Sequence, residues 1–415
     1  MSKSSVEQVR VSRPVNLGNH SGQFRMVAFS DYRVQDISLL YEFVHAMNPP
    51  PDLILYGGDD IERFRTPTDV NWFERLASLS RFGLCGVIGN AERSTVGNML
   101  SGTGVYNVHG RPAILGEYAV IGMEGAISDP AESGRKIQVY SLESRQLIRE
   151  EEIGRGYVLY KEPTVRKYLA AAKKSVAGKK IIVLSHCPPH GVLDLARRVG
   201  WDNIGSSALR DFVKKTRNVV LVVCGHVHRC GEKSARLGSA LVVNAASHDD
   251  IGAPGRVAII EIGEKRRPAV EWKLLPELTS IVGIKEPRDK QLKSGGIAKL
   301  EDLARAEPHI VHALTKCGLS VAHHLCGRAQ ALLENKPVEL GPLQLPIGER
   351  IFLDIETDRQ QSYIWLIGVY SERDGKLKQF FAENPTKEGE ILEAFLQYVR
   401  KKPNAVFPRI SSLKS

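Results

Sequence analysis

At 415 residues the chain is too long for one ordinary core, so two or three domains are expected. No apolar run approaches the roughly 20 residues a bilayer-spanning helix needs, which excludes a helical membrane protein. The formal net charge of +10 permits a polyanionic partner without requiring one, since a charged surface also serves solvation.

Residues 1–24 are polar and lack the apolar segment of a secretory signal, so they read as a flexible leader on a cytoplasmic protein. The six cysteines form no C-x-x-C pair, and Cys85, Cys187 and Cys224 lie in or just after apolar runs, where a thiol acts as a small hydrophobe.

From 25 to 275 the pattern is α/β. Met26 to Phe29, Leu53 to Tyr56, Gly86 to Ile88, Ile181 to Leu184 and Val219 to Val223 read as short buried strands. The amphipathic stretches Ile37 to Met47, Asn71 to Arg81, Thr164 to Ala177 and Ser207 to Thr216 read as helices between them. Ala240 to Asn244, Val257 to Ile262 and Ala269 to Leu274 follow as further strands, and strand directly after strand suggests antiparallel pairing.

Each of the first five runs leads into a short polar string. In order these are Ser30-Asp31, Gly58-Asp59, Gly89-Asn90, Ser185-His186 and Gly225-His226-Val227-His228. Carboxylate, amide and imidazole groups would then converge where strands end and loops begin. Phosphoester hydrolysis needs charge at the attacking water, the phosphoryl oxygens and the leaving group, and two cations about 3.5–4 Å apart can serve all three. A carboxylate at a strand end can bridge such a pair. His190 and His248 could line the same cleft, though each also fits a solvated loop.

This order of strings resembles the calcineurin-like metallophosphoesterase superfamily over about residues 25–275, with Ser185-His186-Cys187-Pro188-Pro189-His190-Gly191 and Gly205-Ser206 adding matches. The resemblance implies a four-layer αββα sandwich of two mixed sheets and a metal-dependent phosphoesterase, plausibly a phosphodiesterase, using metal-activated water. It implies that Asp31 and His228 hold one metal, that Asn90, His186 and His226 hold the other, and that Asp59 is shared; Asp60 competes with Asp59, and the family's Gly-Asp order favours Asp59. Mn, Fe, Zn or Ni would all suit such ligands. Two positions depart from the family pattern. Arg33 stands where the family usually has a ligating His, and a guanidinium offers only donors, so it cannot bind a metal but can place fixed charge at a phosphate. Ala91 stands where a His usually follows the Gly-Asn pair, which removes a group thought to assist the leaving group. Asp59, Arg33, Asn90 and His228 are thus the residues expected to carry catalysis. The alternative is a nucleic-acid-associated scaffold with a degenerate metal site.

From 283 to 336 the sequence turns polar and helix-forming with glycine breaks, reading as short helices at Lys299 to Ala306 and Ile310 to Leu314 and a longer one at Ser320 to Glu334. Lys293-Ser294-Gly295-Gly296-Ile297 looks like a helix-hairpin-helix element, in which glycines let backbone N–H groups approach a nucleic-acid phosphate, with Lys290, Lys293 and Lys299 as contacts for DNA or RNA. Prolines at 337, 342 and 346 mark 337–348 as a linker.

The last stretch, 349–415, reads as three strands, Ile351 to Leu353, Tyr363 to Tyr370 and Leu377 to Phe381, with a turn at Asp374-Gly375 and a helix at Glu388 to Arg400. Asp354-Ile355-Glu356-Thr357 places two carboxylates on one face at the exit of the first strand. It resembles the start of a ribonuclease-H-like domain of RecB-type predicted nucleases. The chain holds no later acidic motifs of that family, so Asp354 and Glu356 read as a vestigial pair. A truncated fragment of this kind would leave sheet edges open to a protein partner.

Overall fold

The computed structural model describes residues 11–20, 22–34, 36–64, 70–92, 99–127, 138–141, 146–149, 158–197, 201–248, 253–263, 268–334, 336–338, 348–358, 363–402 and 405–406. The chain divides into two compact units, residues 1–338 and 339–415.

In the first unit the strands are, in chain order, β1 (Val15–Gly18), β2 (Phe24–Phe29), β3 (Leu53–Tyr56), β4 (Leu84–Gly86), β5 (Val105–Asn107), β6 (Ala113–Leu115), β7 (Tyr118–Met123), β8 (Ala126–Ile127), β9 (Gln138–Ser141), β10 (Gln146–Arg149), β11 (Leu159–Tyr160), β12 (Lys180–Ser185), β13 (Leu195–Arg197), β14 (Trp201–Asn203), β15 (Val219–Cys224), β16 (Lys233–Leu237), β17 (Ala240–Asn244), β18 (Gly255–Ile262) and β19 (Ala269–Leu275). One sheet runs β19-β18-β2-β3-β4-β5 and the other β1-β6-β7-β12-β15-β17-β16. Both are mixed: β2, β3, β4 and β5 run parallel, as do β7, β12, β15 and β17, while β18–β19 and β16–β17 are antiparallel.

The apolar runs are continuous because both faces of these strands are covered. Met26, Ala28, Leu53 and Leu55 of the first sheet share a core with Val120, Ile182, Leu184, Leu221 and Val223 of the second. The alternate residues face outward: Val27, Phe29, Ile54 and Tyr56 pack under the helices α1 (Ser38–His45) and α2 (Trp72–Ala77), and Ala119, Ile121, Ile181 and Val183 under α3 (Glu162–Ser175) and α4 (Ser207–Lys215). The result is the four-layer αββα sandwich. Asn71 and Ser206 cap α2 and α4, each accepting a backbone N–H three residues on.

Three expectations need correction here. Residues 1–24 are not wholly a loose leader: β1 pairs in parallel with β6, because Val15 and Leu17 find a place against the shared core. The third strand covers Leu84–Gly86 and not Gly86 to Ile88, since Val87 and Ile88 are buried by the loop that follows β4. The segment 91–160 also holds the buried strand β7, which the sequence pattern left unread.

After β19 the same unit continues as four helices, α5 (Glu286–Ser294), α6 (Leu300–Arg305), α7 (Pro308–Thr315) and α8 (Leu319–Glu334). Leu292, Leu300, Leu303, Val311, Ala322 and Leu325 make their common core. Helix α5 went unread because its sequence is polar and it buries little besides Leu292 and Asp289.

The second unit is a four-stranded sheet in the order β22 (Lys376–Phe381), β21 (Tyr363–Ser371), β20 (Glu349–Asp358), β23 (Ala405–Val406), with helix α9 (Glu388–Arg400) packed over Ile367 and Phe380. Its first strand is longer than expected. Asp354 and Glu356 therefore lie within β20 and not at its exit, opposite Gly368 and Leu366, and both are exposed. The parallel pairing of β23 with β20 covers part of one edge. Of the proposed linker, 339–347 lies outside the described residues. No helix among the described residues is long and apolar enough to cross a membrane.

A candidate metal centre at five strand ends

The parallel strands bring their C-terminal ends to one edge of the sandwich, where Asp31 follows β2, Asp59 follows β3, Asn90 follows β4, His186 follows β12 and His226 and His228 follow β15. Reaching that edge requires unusual backbone. Asp31, Asp59, Asp60 and His226 have φ of 49°, 62°, 61° and 65°, a left-handed conformation that costs a non-glycine residue on the order of 1 kcal/mol or more. Strain gathered at one place points to function more than to folding.

Close approach explains two of the glycines. A Cβ on Gly89 would sit 1.8 Å from Asp59 Oδ1, and one on Gly225 would sit 1.9 Å from Ser30 Oγ and 2.3 Å from Asp31 Oδ2. Only glycine lets these loops close on the carboxylates.

Asp31, Asp59 and His186, all buried, offer ligand atoms within 4.8 Å of one another. His186 Nε2 is 2.9 Å from Asn90 Oδ1 and 3.5 Å from Asp59 Oδ2. His228 Nε2 is 2.8 Å from Asp31 Oδ1. The His226 ring lies 5.1 Å from that of His186, and its backbone N–H donates to Asp31 Oδ2 at 3.0 Å. Two donors each about 2.0–2.2 Å from one cation and at right angles to it are about 3 Å apart, so these separations and this mix of imidazole, carboxylate and amide fit a divalent metal.

A surrounding set of groups fixes the ligands. His186 Nδ1 faces the Gly57 carbonyl at 2.8 Å, which directs Nε2 into the cluster. The Ser30 hydroxyl donates to Asp31 Oδ2 at 2.6 Å. Ala91 N–H donates to Asp59 Oδ1 at 3.1 Å, so the residue without a useful side chain still serves through its backbone. The Asn244 amide donates to the carbonyls of Gly225 and Val227, 3.2 Å each, bracing the loop of His226 and His228. Glu92 accepts N–H groups from Gly89 at 2.6 Å and Ile61 at 2.7 Å, while the nearby Tyr56 hydroxyl donates to the Asp59 carbonyl at 2.7 Å. It thereby ties the loop of Asn90 to the loop of Asp59. Tyr56 and Asn244 carried no sequence signal beyond their nearness to the polar strings, whereas Ser30 belongs to one of those strings and Glu92 stands where an acid often follows the resembled family's Gly-Asn-His.

The charges are strongly coupled. Burial, with the neighbouring Asp31 charge, pushes the Asp59 carboxyl up to about 6 against the opposing pull of His186. Burial and the Asp59 charge push Glu92 up to about 7. Burial acts to raise Asp31 too, but the His228 and His186 imidazoles and the Ser30 hydroxyl overcome it and hold that carboxyl well below the usual range. Burial works against a charged His186, yet Asp59 and Asp31 raise it above the ordinary imidazole value.

Other expected residues fall outside this cluster. Arg33 Nε sits 2.9 Å from Asp60 Oδ2, and Arg63 Nε lies 3.4 Å from the other oxygen. Asp60 is thereby occupied by guanidinium groups while Asp59 meets His186. His190 is buried, its N–H donating to the Ser206 carbonyl, and His248 is half-buried. Lys290, Lys293 and Lys299 form ion pairs with Glu286, Asp289 and Glu42. Gly295 and Gly296 are exposed in the turn after α5.

Residues 24–230 match the family model of the calcineurin-like phosphoesterases, and residues 351–408 match that of the RNase H superfamily. Among solved structures, a putative 5′-nucleotidase from Staphylococcus aureus in complex with alpha-ketoglutarate is 15% identical over 69% of this chain and 59% of its own, with a TM-score of 0.35. GAP50, the anchor in the inner membrane complex of Plasmodium, is 13% identical over 62% of this chain and 89% of its own, with a TM-score of 0.31. The Thermus thermophilus sulfate thiohydrolase SoxB in complex with glycerol is 16% identical over 58% and 42%, with a TM-score of 0.30. No curated protein matches the chain.

Proposed function

With residues 24–230 forming a calcineurin-like phosphoesterase domain, we propose that the chain is a metal-dependent phosphodiesterase acting on nucleic acid. The observation that carries the reading is the buried meeting of Asp31, Asp59 and His186 at five strand ends, with Asn90 and His228 at hydrogen-bond distance from it. Asp31 and His228 would hold one cation, Asn90, His186 and His226 a second, and Asp59 would be shared. Bound there, Mn, Fe, Zn or Ni supplies the Lewis acidity that activates water and neutralises phosphoryl oxygens.

The chain's own groups do the rest. Gly57 holds the His186 ring in the orientation that presents Nε2. Glu92 keeps the Asp59 and Asn90 loops in register, so that shared ligands stay shared. Arg33, a third exposed and steadied by Asp60, places a permanent positive charge beside the phosphoryl group. Ala91 offers no proton to a leaving group, so an activated ester should be a far better substrate than an alkyl ester. The RNase H superfamily match and the glycine-turned helices after β19 support nucleic acid as the substrate.

The test is hydrolysis of bis(p-nitrophenyl) phosphate in Mn, with metal analysis of the same samples, comparing the natural protein with Asp59→Asn. Metal-dependent turnover lost in the variant is expected. Equal rates in both proteins overturn the proposal.

Arg33 and Ala91 favour a second reading, a nucleic-acid-associated scaffold whose metal site is structural. Salt-sensitive binding of DNA or RNA by a protein that hydrolyses no phosphodiester would establish it in place of the first.

A further inference from the structure

The row of strand ends that builds the centre continues past its last ligand. Along β2-β3-β4-β5 the successive exits carry Asp31, Asp59, Asn90 and then His109, two residues beyond β5. Along β15-β12-β7 they carry His226, His186 and then Glu124, directly after β7. Three backbone contacts tie this extension to the centre: His186 N–H donates to Met123 O at 2.9 Å, Gly125 N–H to Ile88 O at 3.0 Å, and Val158 N–H to Asn90 O at 3.2 Å. Adjacent strands are about 4.8 Å apart, so His109 and Glu124 lie roughly one strand spacing beyond the Asn90–His186 pair.

There they meet each other, as the ligands do. His109 Nε2 is 3.5 Å from Glu124 Oε1, and the Tyr160 hydroxyl donates to the same oxygen at 2.6 Å. The backbone N–H of Glu124 points at His109 Nδ1 from 3.4 Å, and the ring of Tyr168 lies 4.8 Å from that of His109. The His109 and Glu124 side chains are 12% and 14% exposed, so the cluster is sheltered yet open to solvent. The proposed hydrolysis uses none of these groups.

Burial lowers the His109 pKa, and the ring turns Nδ1 to the Glu124 backbone N–H and Nε2 to the Glu124 carboxylate and the Tyr160 hydroxyl. A carboxylate acceptor, an imidazole and a phenolic hydroxyl form a set suited to alcohols. The carboxylate disfavours a second phosphate at the same place.

We propose that the cleft has a second subsite, formed by His109, Glu124 and Tyr160, which binds the hydroxyl-bearing organic group of the phosphoester, a sugar or nucleoside, beside the Asn90–His186 end of the centre. It rests on the phosphoesterase reading of that centre. The subsite selects which esters are held and leaves the attack on phosphorus to the metal ligands.

The test measures affinity of the full chain in Mn for adenosine 5′-monophosphate and for its 2′,3′-dideoxy analogue, and takes their ratio. Hydrogen bonds to a charged group support a preference of about tenfold for the hydroxylated nucleotide. Glu124→Gln should bring the ratio to within about twofold and Tyr160→Phe should lower it part of the way, the latter serving if the former does not fold. No preference in the natural protein, or a preference kept in both variants, overturns the subsite and assigns the cluster to packing. Hydrolysis of bis(p-nitrophenyl) phosphate by the same preparations reports on the centre itself: absent turnover sinks the phosphoesterase reading, while the affinity ratio still decides the subsite.

Discussion

Asp59 is a buried carboxyl that keeps its proton to about pH 6 in the folded chain, whereas an unfolded chain gives it up near 4. Glu92 extends the same behaviour to about pH 7. Between those limits the metal-free folded protein binds more protons than the unfolded one, so the contribution of these two groups to stability is fully present below about pH 4 and is lost as pH rises through 6 and 7. A divalent cation must displace the Asp59 proton and then screens the Asp31–Asp59 repulsion. Its stabilising effect should therefore grow from pH 5 to pH 7, with proton release on binding at the lower value, read by thermal melts with and without Mn and by calorimetry in two buffers. A cation effect independent of pH would count against Asp59 as a ligand. Arg33 yields a second residue-scale expectation. Arg33→His supplies an imidazole where the guanidinium now pairs with Asp60, and metal analysis should find more cation per chain in the variant; an unchanged content would argue against a missing ligand. The ligand types were legible in the sequence because carboxylate, amide and imidazole chemistry belongs to the residue itself. The roles of Glu92, Tyr56 and Asn244 were not, because each depends on which backbone groups the fold brings within reach.

At the scale of elements, the centre depends on loops that close within a few ångströms of one another. Gly89→Ala places a Cβ at 1.8 Å from Asp59 Oδ1 and at 2.4 Å from Asp59 Cγ. The loops after β3 and β4 must then separate, and the expected outcome is loss of Mn-dependent stabilisation with the αββα core retained, measured by circular dichroism alongside melts in Mn. Gly178→Ala is the control, since nothing lies within 4 Å of a Cβ there, although its φ of +82° will cost some stability. The parallel strands of the two sheets were readable because burial on both faces gives continuous apolar runs that stop where a polar string begins. The same rule misplaced the end of β4, whose apolar character continues through Val87 and Ile88 into a buried loop. It also left β7 unread. Tyr118–Met123 is buried throughout, but it leads into Glu124-Gly125 and not into a ligand-like string. Edge strand β1 was hidden for the opposite reason, a short segment with only two core-facing residues.

For the whole molecule, the question is which parts beyond the phosphoesterase domain bear on nucleic acid. Among the described residues, Asp31, Asp59 and His186 are the only group of three or more His, Cys, Asp or Glu placed to hold a metal, so the RNase-H-like unit offers no comparable cluster. Its Asp354 and Glu356 sit exposed in mid-strand. Asp354→Ala should therefore leave Mn-dependent ester hydrolysis by the full chain unchanged, and a loss of rate would show that this carboxylate serves the reaction. The helices after β19 call for a different measurement. Lys290 and Lys299 are each paired with an exposed carboxylate and Lys293 with the buried Asp289, and exposed pairs yield readily to a stronger anion. If all three contact duplex phosphates, each releases about one counterion's worth of salt dependence, and a plot of log affinity against log salt carries a slope of about −2.7 from them alone. Replacing all three with glutamine should reduce the magnitude of the measured slope by about that amount while metal content stays as it was. A slope that does not change would place the polyanion elsewhere on this basic chain and leave the glycine-turned helices as a structural extension of the first unit.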